Sequence, residues 1–303
     1  MSSQKIVVFG HTHFTRSGIE SLSSLGFHLH FVVLDENKEQ FKLLNCTSKG
    51  DSTFYFNSVN DADLENHIKS ISPDYIFVFG LSHKIPDSLI SIPKVAAINA
   101  HPSLLPDLKG PNPWYWAIYH RLKTTGITLH HLSSEFDCGD IVSQIPFSIH
   151  PLETRGMLGQ KVNVYLKKLI IQNKQSLIDG KLPSIKQVGE GRYFKSPTDK
   201  HVFLDFNKTA LELESNVRAN NPSIPCMIQL NSIILDVREV LLTERIATTA
   251  YEVLIENSRL FISARDYFLE IKVVDSKLEG LFTATRFLEL CPVQSGSKCK
   301  SLL

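Results

Sequence analysis

No apolar run in this 303-residue sequence approaches the roughly 20 residues that a membrane-spanning helix needs; one of the longest, Tyr75 to Phe79, covers five. The first residues lead straight into the strand-like Ile6 to Phe9, without the apolar stretch of a signal peptide. Cysteine is scarce. Five thiols, Cys46, Cys138, Cys226, Cys291 and Cys299, are odd in number and form no C-x-x-C pair. That pattern argues against a zinc site and for a reducing, cytoplasmic setting, and Cys299 stands too far from the end for a prenylation box. Neither sign of charge dominates. Residues 1–183 carry 17 Lys and Arg against 16 Asp and Glu, and residues 184–303 carry 15 against 15. A strong nucleic-acid binder displays a basic excess that neither half has. Gly10 to Thr15 follows the first strand and offers a cradle for a phosphate, but it has no G-x-G-x-x-G pattern, which argues against a nicotinamide cofactor. Internal repeats and low-complexity tracts are absent. With 43% hydrophobic and 21% charged residues, the composition is that of a globular protein of one large or two smaller domains.

The first 150 residues alternate between periods of two and of about 3.6. Strand-like runs fall at Lys5 to Phe9, His28 to Leu34, Thr53 to Phe56, Asp74 to Phe79 and Val95 to Ala100. Ser17 to Leu25 and Pro86 to Ile90 read as helices between them. Asp61 to Ile71 is amphipathic, with Leu64, Ile68 and Ile71 on one stripe. This rhythm predicts an α/β fold with a doubly wound, mainly parallel, Rossmann-like sheet, whose ligands bind beyond the carboxyl ends of the strands. Thr125 to Leu132 and Ile141 to Ile149 read as two further strands. Leu152 to Leu177 reads as one long helix, with Gly156 and Gly159 marking a late start. The expected division is a first domain over 1–183, a turn-rich linker over 184–205 and a second domain over 206–303. The second domain opens with a helix over Leu204 to Ala219, which Asn220-Asn221-Pro222 stops. Short alternating runs follow at Met227 to Leu230, Ile233 to Val240, Tyr251 to Glu256, Arg259 to Ser263 and Tyr267 to Val274, the pattern of a small β-barrel-like unit.

The chemistry concentrates in Ile98-Asn99-Ala100-His101-Pro102-Ser103-Leu104-Leu105-Pro106, then Gly110, then Phe136-Asp137-Cys138-Gly139-Asp140. Asn99 and His101 are two apart, so on a strand their side chains share a face. They stand where an apolar run breaks at His-Pro. A carboxylate follows 36 residues after His101, in a glycine-bearing turn. An amide donor, an imidazole and a carboxylate that orients it suit acyl-group chemistry. Taken alone, His101 reads as a structural histidine and Asp137 as a turn residue.

Together these residues resemble the signature of the 10-formyltetrahydrofolate-dependent formyltransferase family, N-x-H-x-S-L-L-P followed by G and a D-x-G turn. Asn99, His101, Ser103, Leu104, Leu105, Pro106, Gly110, Asp137 and Gly139 match at the right spacing. The resemblance implies a catalytic triad of Asn99, His101 and Asp137, with 10-formyltetrahydrofolate as cosubstrate and no metal. It implies folate contacts from Phe79, Gly80 and Leu81, from Ser103 to Pro106, and from Phe136, Gly139 and Asp140. Core packing explains Phe79 equally well, and a turn-closing role explains Asp140. His130 matches a site-lining histidine of several relatives, while His131 faces the other side of its strand. Trp114, with Tyr115 and Trp116 behind it, is the candidate for stacking on an acceptor's base or sugar, with packing as the alternative. Cys138 has no activating histidine at adjacent spacing and reads as inert. Some relatives carry an arginine near the position of Ser82-His83-Lys84. Val217-Arg218-Ala219-Asn220-Asn221-Pro222 resembles the element that opens the carboxy-terminal domain of methionyl-tRNA formyltransferases, which implies an OB-like β-barrel.

The expected reaction is transfer of a formyl group to a primary amine. Methionyl-tRNA formyltransferases carry a long basic loop after the second strand. Here Val33-Leu34-Asp35-Glu36-Asn37-Lys38-Glu39-Gln40 is acidic where that loop starts, and the second domain is charge-neutral. Both departures favour a small acceptor, such as a nucleotide-linked amino sugar or an amino-acid-like metabolite, over tRNA. Methionyl-tRNA formylation is the runner-up. Hydrolysis of 10-formyltetrahydrofolate and a non-catalytic folate- or nucleotide-binding role are the other readings. The expected partners are folate and a small amine, without a membrane, and a homodimer is the candidate assembly.

Overall fold

The computed structural model describes residues 4–48, 50–276, 280–291 and 293–302. Its chain divides into two compact units that interleave along the sequence. One comprises Met1–Pro113, Thr124–Ser148 and Gly159–Phe194; the other comprises Trp114–Lys123, Ile149–Leu158 and Lys195–Leu303. The stretch expected as a linker is thus divided at Phe194.

The first unit is built from β1 (Lys5–Phe9), α1 (His13–Ser24), β2 (His28–Leu34), α2 (Lys38–Leu44), β3 (Ser52–Phe56), α3 (Ala62–Ile71), β4 (Tyr75–Phe79), α4 (Asp87–Ile90) and β5 (Ala96–His101). After α5 (Pro113–Tyr119), most of which belongs to the second unit, come β6 (Thr124–His131), β7 (Ile141–Ser148), α6 (Arg155–Gln172), which joins this unit from Gly159 onward, and α7 (Lys174–Asp179). Seven strands pair in the order β3-β2-β1-β4-β5-β6-β7. The first five are parallel, and β6 and β7 are antiparallel. All five residues of β4 and all of β1 but Lys5 are buried, as a parallel sheet covered on both faces requires. The strand order reverses between β1 and β4, and the crevice beyond such a reversal is where ligands bind in this architecture.

Two sequence expectations change here. The long helix breaks at Asn173, whose side-chain amide donates to the Leu169 carbonyl at 2.8 Å, competing with the backbone ladder. Its start moves from 152 to Arg155. Helix α2 was not anticipated, because a helix with only Phe41 and Leu44 buried is too short to show a period.

The second unit contains α8 (Asp199–Val202), α9 (Ala210–Asn220), β8 (Met227–Leu230), β9 (Ile233–Ile246), β10 (Val253–Glu256), β11 (Arg259–Ser263), β12 (Tyr267–Ser276), β13 (Gly280–Thr283), α10 (Ala284–Leu290) and β14 (Cys299–Lys300). Its strands form a curled antiparallel half-barrel in the order β10-β11-β12-β9-β8-β14, with β13 on β12. The segment before β14 bonds the β10 edge, Gly296 N–H to Val253 O at 2.9 Å and Ile255 N–H to Ser295 Oγ at 2.9 Å. Leu213 and Val217 of α9 pack in one core with Ile228, Val237, Ile262 and Ile271. Helix α9 starts six residues later than expected, at a capping box between Thr209 and Glu212. Leu204 and Phe206 before it are buried outside the helix, Phe206 in a turn.

Among the described residues no helix is long and apolar enough to cross a membrane.

Candidate active site

Antiparallel pairing of β5 with β6 sets Asn99 opposite His130 and His101 opposite Thr128. Directly opposed residues project to the same face, so four polar side chains collect on one side of the sheet. Asn99 Nδ2 lies 3.0 Å from His130 Nε2, and His130 Nδ1 lies 2.9 Å from the His131 carbonyl. A carbonyl only accepts, so the His130 proton sits on Nδ1 and its Nε2 lone pair accepts from Asn99. This fixes which end of the Asn99 amide is nitrogen and leaves one N–H for a ligand. His130 is 1% exposed. Burial pulls its pKa down to about 4, with the Asp137 carboxylate opposing and the His101 ring adding to the shift. The ring is therefore neutral near pH 7, as an acceptor at Nε2 must be. His131 points to the other face, to the Pro183 carbonyl at 3.0 Å.

His101, 5% exposed, places Nε2 at 2.9 Å from the Leu108 carbonyl and Nδ1 at 3.3 Å from Asp137 Oδ1. With the Nε2 proton directed to the Leu108 carbonyl, Nδ1 is the nitrogen turned toward the carboxylate. Asp137 Oδ2 accepts the Gly110 N–H at 2.7 Å. Asp137 itself has a φ of +55°, a left-handed conformation that Asp tolerates better than most residues. Gly110 has a φ of +93°, and a Cβ there would lie 2.4 Å from the Phe194 carbonyl, so glycine is required where the N–H reaches the carboxylate. His130 Nε2 is 3.7 Å from Asp137 Oδ1, beyond hydrogen-bond reach.

The segment between His101 and Gly110 is locked by side chains of β6 and β7. Thr128 Oγ1 donates to the Ser103 carbonyl at 2.7 Å and accepts from Leu105 N–H at 3.2 Å. Gln144 Nε2 donates to the Leu105 carbonyl at 2.9 Å and to Thr128 Oγ1 at 2.9 Å. Ser103 Oγ donates to the Asp107 carbonyl at 2.6 Å. Ser103 and Leu105 are buried, Leu104 packs over Gly126, and the Pro106 carbonyl backs onto Gly191. In the protein alone these residues brace the loop that carries Leu108 and Gly110.

Phe79 lies in the core against Gly18, Phe14 and Phe77, and its carbonyl accepts from Thr15 Oγ1 at 2.8 Å. Its side chain packs in the core, the alternative given for this position, because the strand is buried on both faces. Gly80 and Leu81 follow it, one exposed and one half-buried, at the carboxyl end of β4. Phe136 is 44% exposed. It lines a depression of about 450 Å³ with Lys84, Lys109, Ser134, Glu135, Cys138, Glu190, Gly191 and Tyr193. Gly139 is pressed against His131, where a Cβ would lie 1.8 Å from the carbonyl oxygen. Asp140 accepts from Ser184 Oγ at 2.7 Å and closes the turn. Trp114 falls in the second unit, half-buried on α5, whose neighbours Tyr115 and Trp116 pack on His201.

Lys109 and Gln187 were not anticipated. Lys109 is 9% exposed and points Nζ at Cys138 Sγ, 3.3 Å away, and at the Glu190 carbonyl, 3.1 Å away. Gln187 Nε2 donates to the Asp137 carbonyl at 2.8 Å and to the Gly139 carbonyl at 2.9 Å. Lys109 stood one residue before a matched glycine, but nothing in sequence separates a buried lysine from a solvated one. Gln187 lay in a stretch read as linker. Among the described residues no group of three or more His, Cys, Asp or Glu side chains is placed to hold a metal ion.

The formyl transferase profile matches residues 4–173. The bifunctional polymyxin resistance protein ArnA of Wigglesworthia glossinidia brevipalpis is 24% identical over 307 residues, covering 98% of this chain and 46% of that protein. Methionyl-tRNA formyltransferase of Bacillus mycoides (strain KBAB4) is 31% identical over 165 residues, covering 54% of this chain and 52% of that one. The chain thus spans about half the length of the curated relatives it matches. Among solved structures, an N-formyltransferase from Helicobacter canadensis in complex with folinic acid and dTDP-3-aminofucose superposes with a TM-score of 0.65 at 20% identity. It covers 88% of this chain and 98% of that one.

Proposed function

Because the chain belongs to the formyl transferase family, we propose that it moves the formyl group of 10-formyltetrahydrofolate to a primary amine of a small acceptor, a nucleotide-linked amino sugar or an amino-acid-like metabolite. The observation that carries this reading is the Asn99, His101 and Asp137 constellation, with one amide N–H of Asn99 unspent and His101 Nδ1 3.3 Å from the Asp137 carboxylate. Formyl transfer needs three things: a donor for the oxygen that gains charge as the amine adds, a base for the amine's proton, and a path for that proton to the departing folate nitrogen. Asn99 supplies the donor, a contribution typically worth about 10²–10³ in rate. Asp137, held by Gly110 and His101, takes the proton directly or through one water, and the His101–Asp137 pair returns it. The depression beside Phe136 and Lys109 is the folate side of the site: the Phe136 and Tyr193 rings offer faces for a flat heterocycle, and Lys84, Lys109 and Ser134 offer polar groups for its edge.

The small acceptor is supported by the connection after β2. It is a single helical turn, Asp35–Asn37, which leads directly into α2. Glu36 is 58% exposed there and 3.6 Å from His83 Nε2. This is a short, acidic edge, unsuited to a row of phosphates. The ligand named with the Helicobacter canadensis structure, dTDP-3-aminofucose, supports the nucleotide-linked sugar class. The homology to methionyl-tRNA formyltransferase over half the chain keeps charged tRNA as the second acceptor to test.

The test is incubation with formyl-labelled 10-formyltetrahydrofolate and separate acceptors: nucleotide-linked amino sugars, amino acids, charged initiator tRNA and water alone. Tetrahydrofolate release and product mass are followed. A labelled small amide supports the reading; labelled tRNA, or formate from water alone, replaces it.

A further inference from the structure

The main chain of Asp137 is held by a residue 50 positions further along the chain. Gln187 spends both hydrogens of its amide on main-chain carbonyls, that of Asp137 at 2.8 Å and that of Gly139 at 2.9 Å. These two carbonyls bracket Cys138, so one side chain grips the turn on either side of its tip. The turn needs a grip. Asp137 holds a φ of +55°, and strain of that kind persists only where the surroundings over-determine it.

The segment that carries Gln187 is fixed before and after it. Ile185 and Ile141 exchange both backbone hydrogen bonds, at 2.7 and 3.0 Å, and Ser184 Oγ donates to Asp140 Oδ2 at 2.7 Å. Further on, Arg192 accepts the Lys109 N–H at 3.0 Å and Phe194 donates to the Lys109 carbonyl at 2.9 Å. Lys109 immediately precedes Gly110, whose N–H holds the other oxygen of the carboxylate. Residues 184–194 therefore act as a strap over both loops of the site, fixing the Asp137 backbone through Gln187 and its side chain through Gly110.

We infer that Gln187 is a positioning residue for the reaction, aligning the Asp137 carboxylate toward His101 through the main chain of its turn. The inference rests on the reading of Asp137 as the proton-handling group of a formyl transferase. The amide has one workable orientation, because its oxygen in place of Nε2 would face two carbonyl oxygens. An error of about 1 Å in a reacting group costs on the order of 10²-fold in rate.

The experiment compares the full chain with Gln187→Ala and the near-isosteric Gln187→Glu. With formyl donor and the best acceptor, kcat should fall about 10- to 10²-fold, with KM for the donor within about twofold of wild type. Gln187→Glu should be the worse at neutral pH, where its carboxylate faces the two carbonyls. Its deficit relative to wild type at the same pH should shrink as the pH is lowered and the new carboxyl regains one donor. Hydrogen exchange is the second arm and needs no substrate. Gly110 and the 134–141 turn should exchange faster in both variants, with β1 and β4 unchanged. Unaltered kcat and unaltered exchange would overturn the inference, as would a loss confined to donor KM. If the wild type transfers no formyl group to any acceptor, the functional reading fails, and the exchange arm alone then decides whether Gln187 fixes the turn.

Discussion

Asn99 Nδ2 stands 3.0 Å from His130 Nε2 across the β5–β6 pair, and the direction of that hydrogen bond sets the chemistry of the site. A neutral His130 accepts from Asn99; a protonated one cannot. Burial makes the neutral form the stable one down to about pH 4. The sign of the pH effect follows from linkage. Between the ordinary histidine value of 6.5 and about 4, the unfolded chain binds a proton that the folded chain refuses, so stability falls as pH falls through that window. His130→Ala should remove this slope. Denaturant melts at pH 7 and 4.5 should show a smaller stability difference in the variant than in the wild type. An unchanged difference would mean that His130 is protonated in the fold.

Asn99→Ala should lower kcat by about 10²–10³-fold and leave the dissociation constant of the folate within a few-fold, because an oxyanion donor acts mainly in the transition state. Steady-state kinetics paired with calorimetric titration of folinic acid separates the two effects. A change confined to affinity would make Asn99 a binding residue only.

Gly139→Ala should be among the more destabilising single changes on the chain. Its Cβ would lie 1.8 Å from the His131 carbonyl, and the contact can be relieved only by moving backbone. A loss of about 2 kcal/mol or more is expected, with turnover falling further than stability because Asp137 moves with the turn. Thermal melts and rates on the same preparation check it.

The acceptor prediction is read from salt. A protein that contacts several phosphates loses affinity steeply as salt rises. The Asp35–Asn37 turn and the balance of 15 basic against 15 acidic residues over 184–303 offer little for phosphates to pair with. Filter binding of charged initiator tRNA should therefore be undetectable near 0.15 M salt, while folinic acid still binds. Tight tRNA binding with a multi-phosphate salt slope would promote the runner-up.

Much of the first unit was legible because its residues answer to local rules. Tyr75–Phe79 is uniformly apolar and is buried on both faces, and Ala96–His101 alternates so that Asn99 and His101 share one. The pairing of Asn99 with His130 was not legible, since it depends on a cross-strand register that neither strand encodes alone. The Phe79 ring is buried in the core, and sequence alone left that open, because an aromatic next to a glycine reads alike as core and as ligand contact. Gln187 was hidden for a different reason. Its work is done through two main-chain carbonyls 48 and 50 residues away, and a polar, glycine-containing stretch looks like linker whether or not it folds back. Helix α9 shows the converse: the Thr209–Glu212 capping box was present in the sequence and marks the true start.

The central claim is that Asp137 and His101 share the proton that moves during formyl transfer, and Asp137→Asn tests it most directly. Asparagine accepts the Gly110 N–H and tolerates the positive φ, so the fold stays while the charge goes. Tetrahydrofolate release at saturating donor and acceptor should fall by at least about 10²-fold, with the far-UV circular dichroism and the folinic acid affinity of the wild type retained. A variant that turns over within a few-fold of wild type would contradict the account.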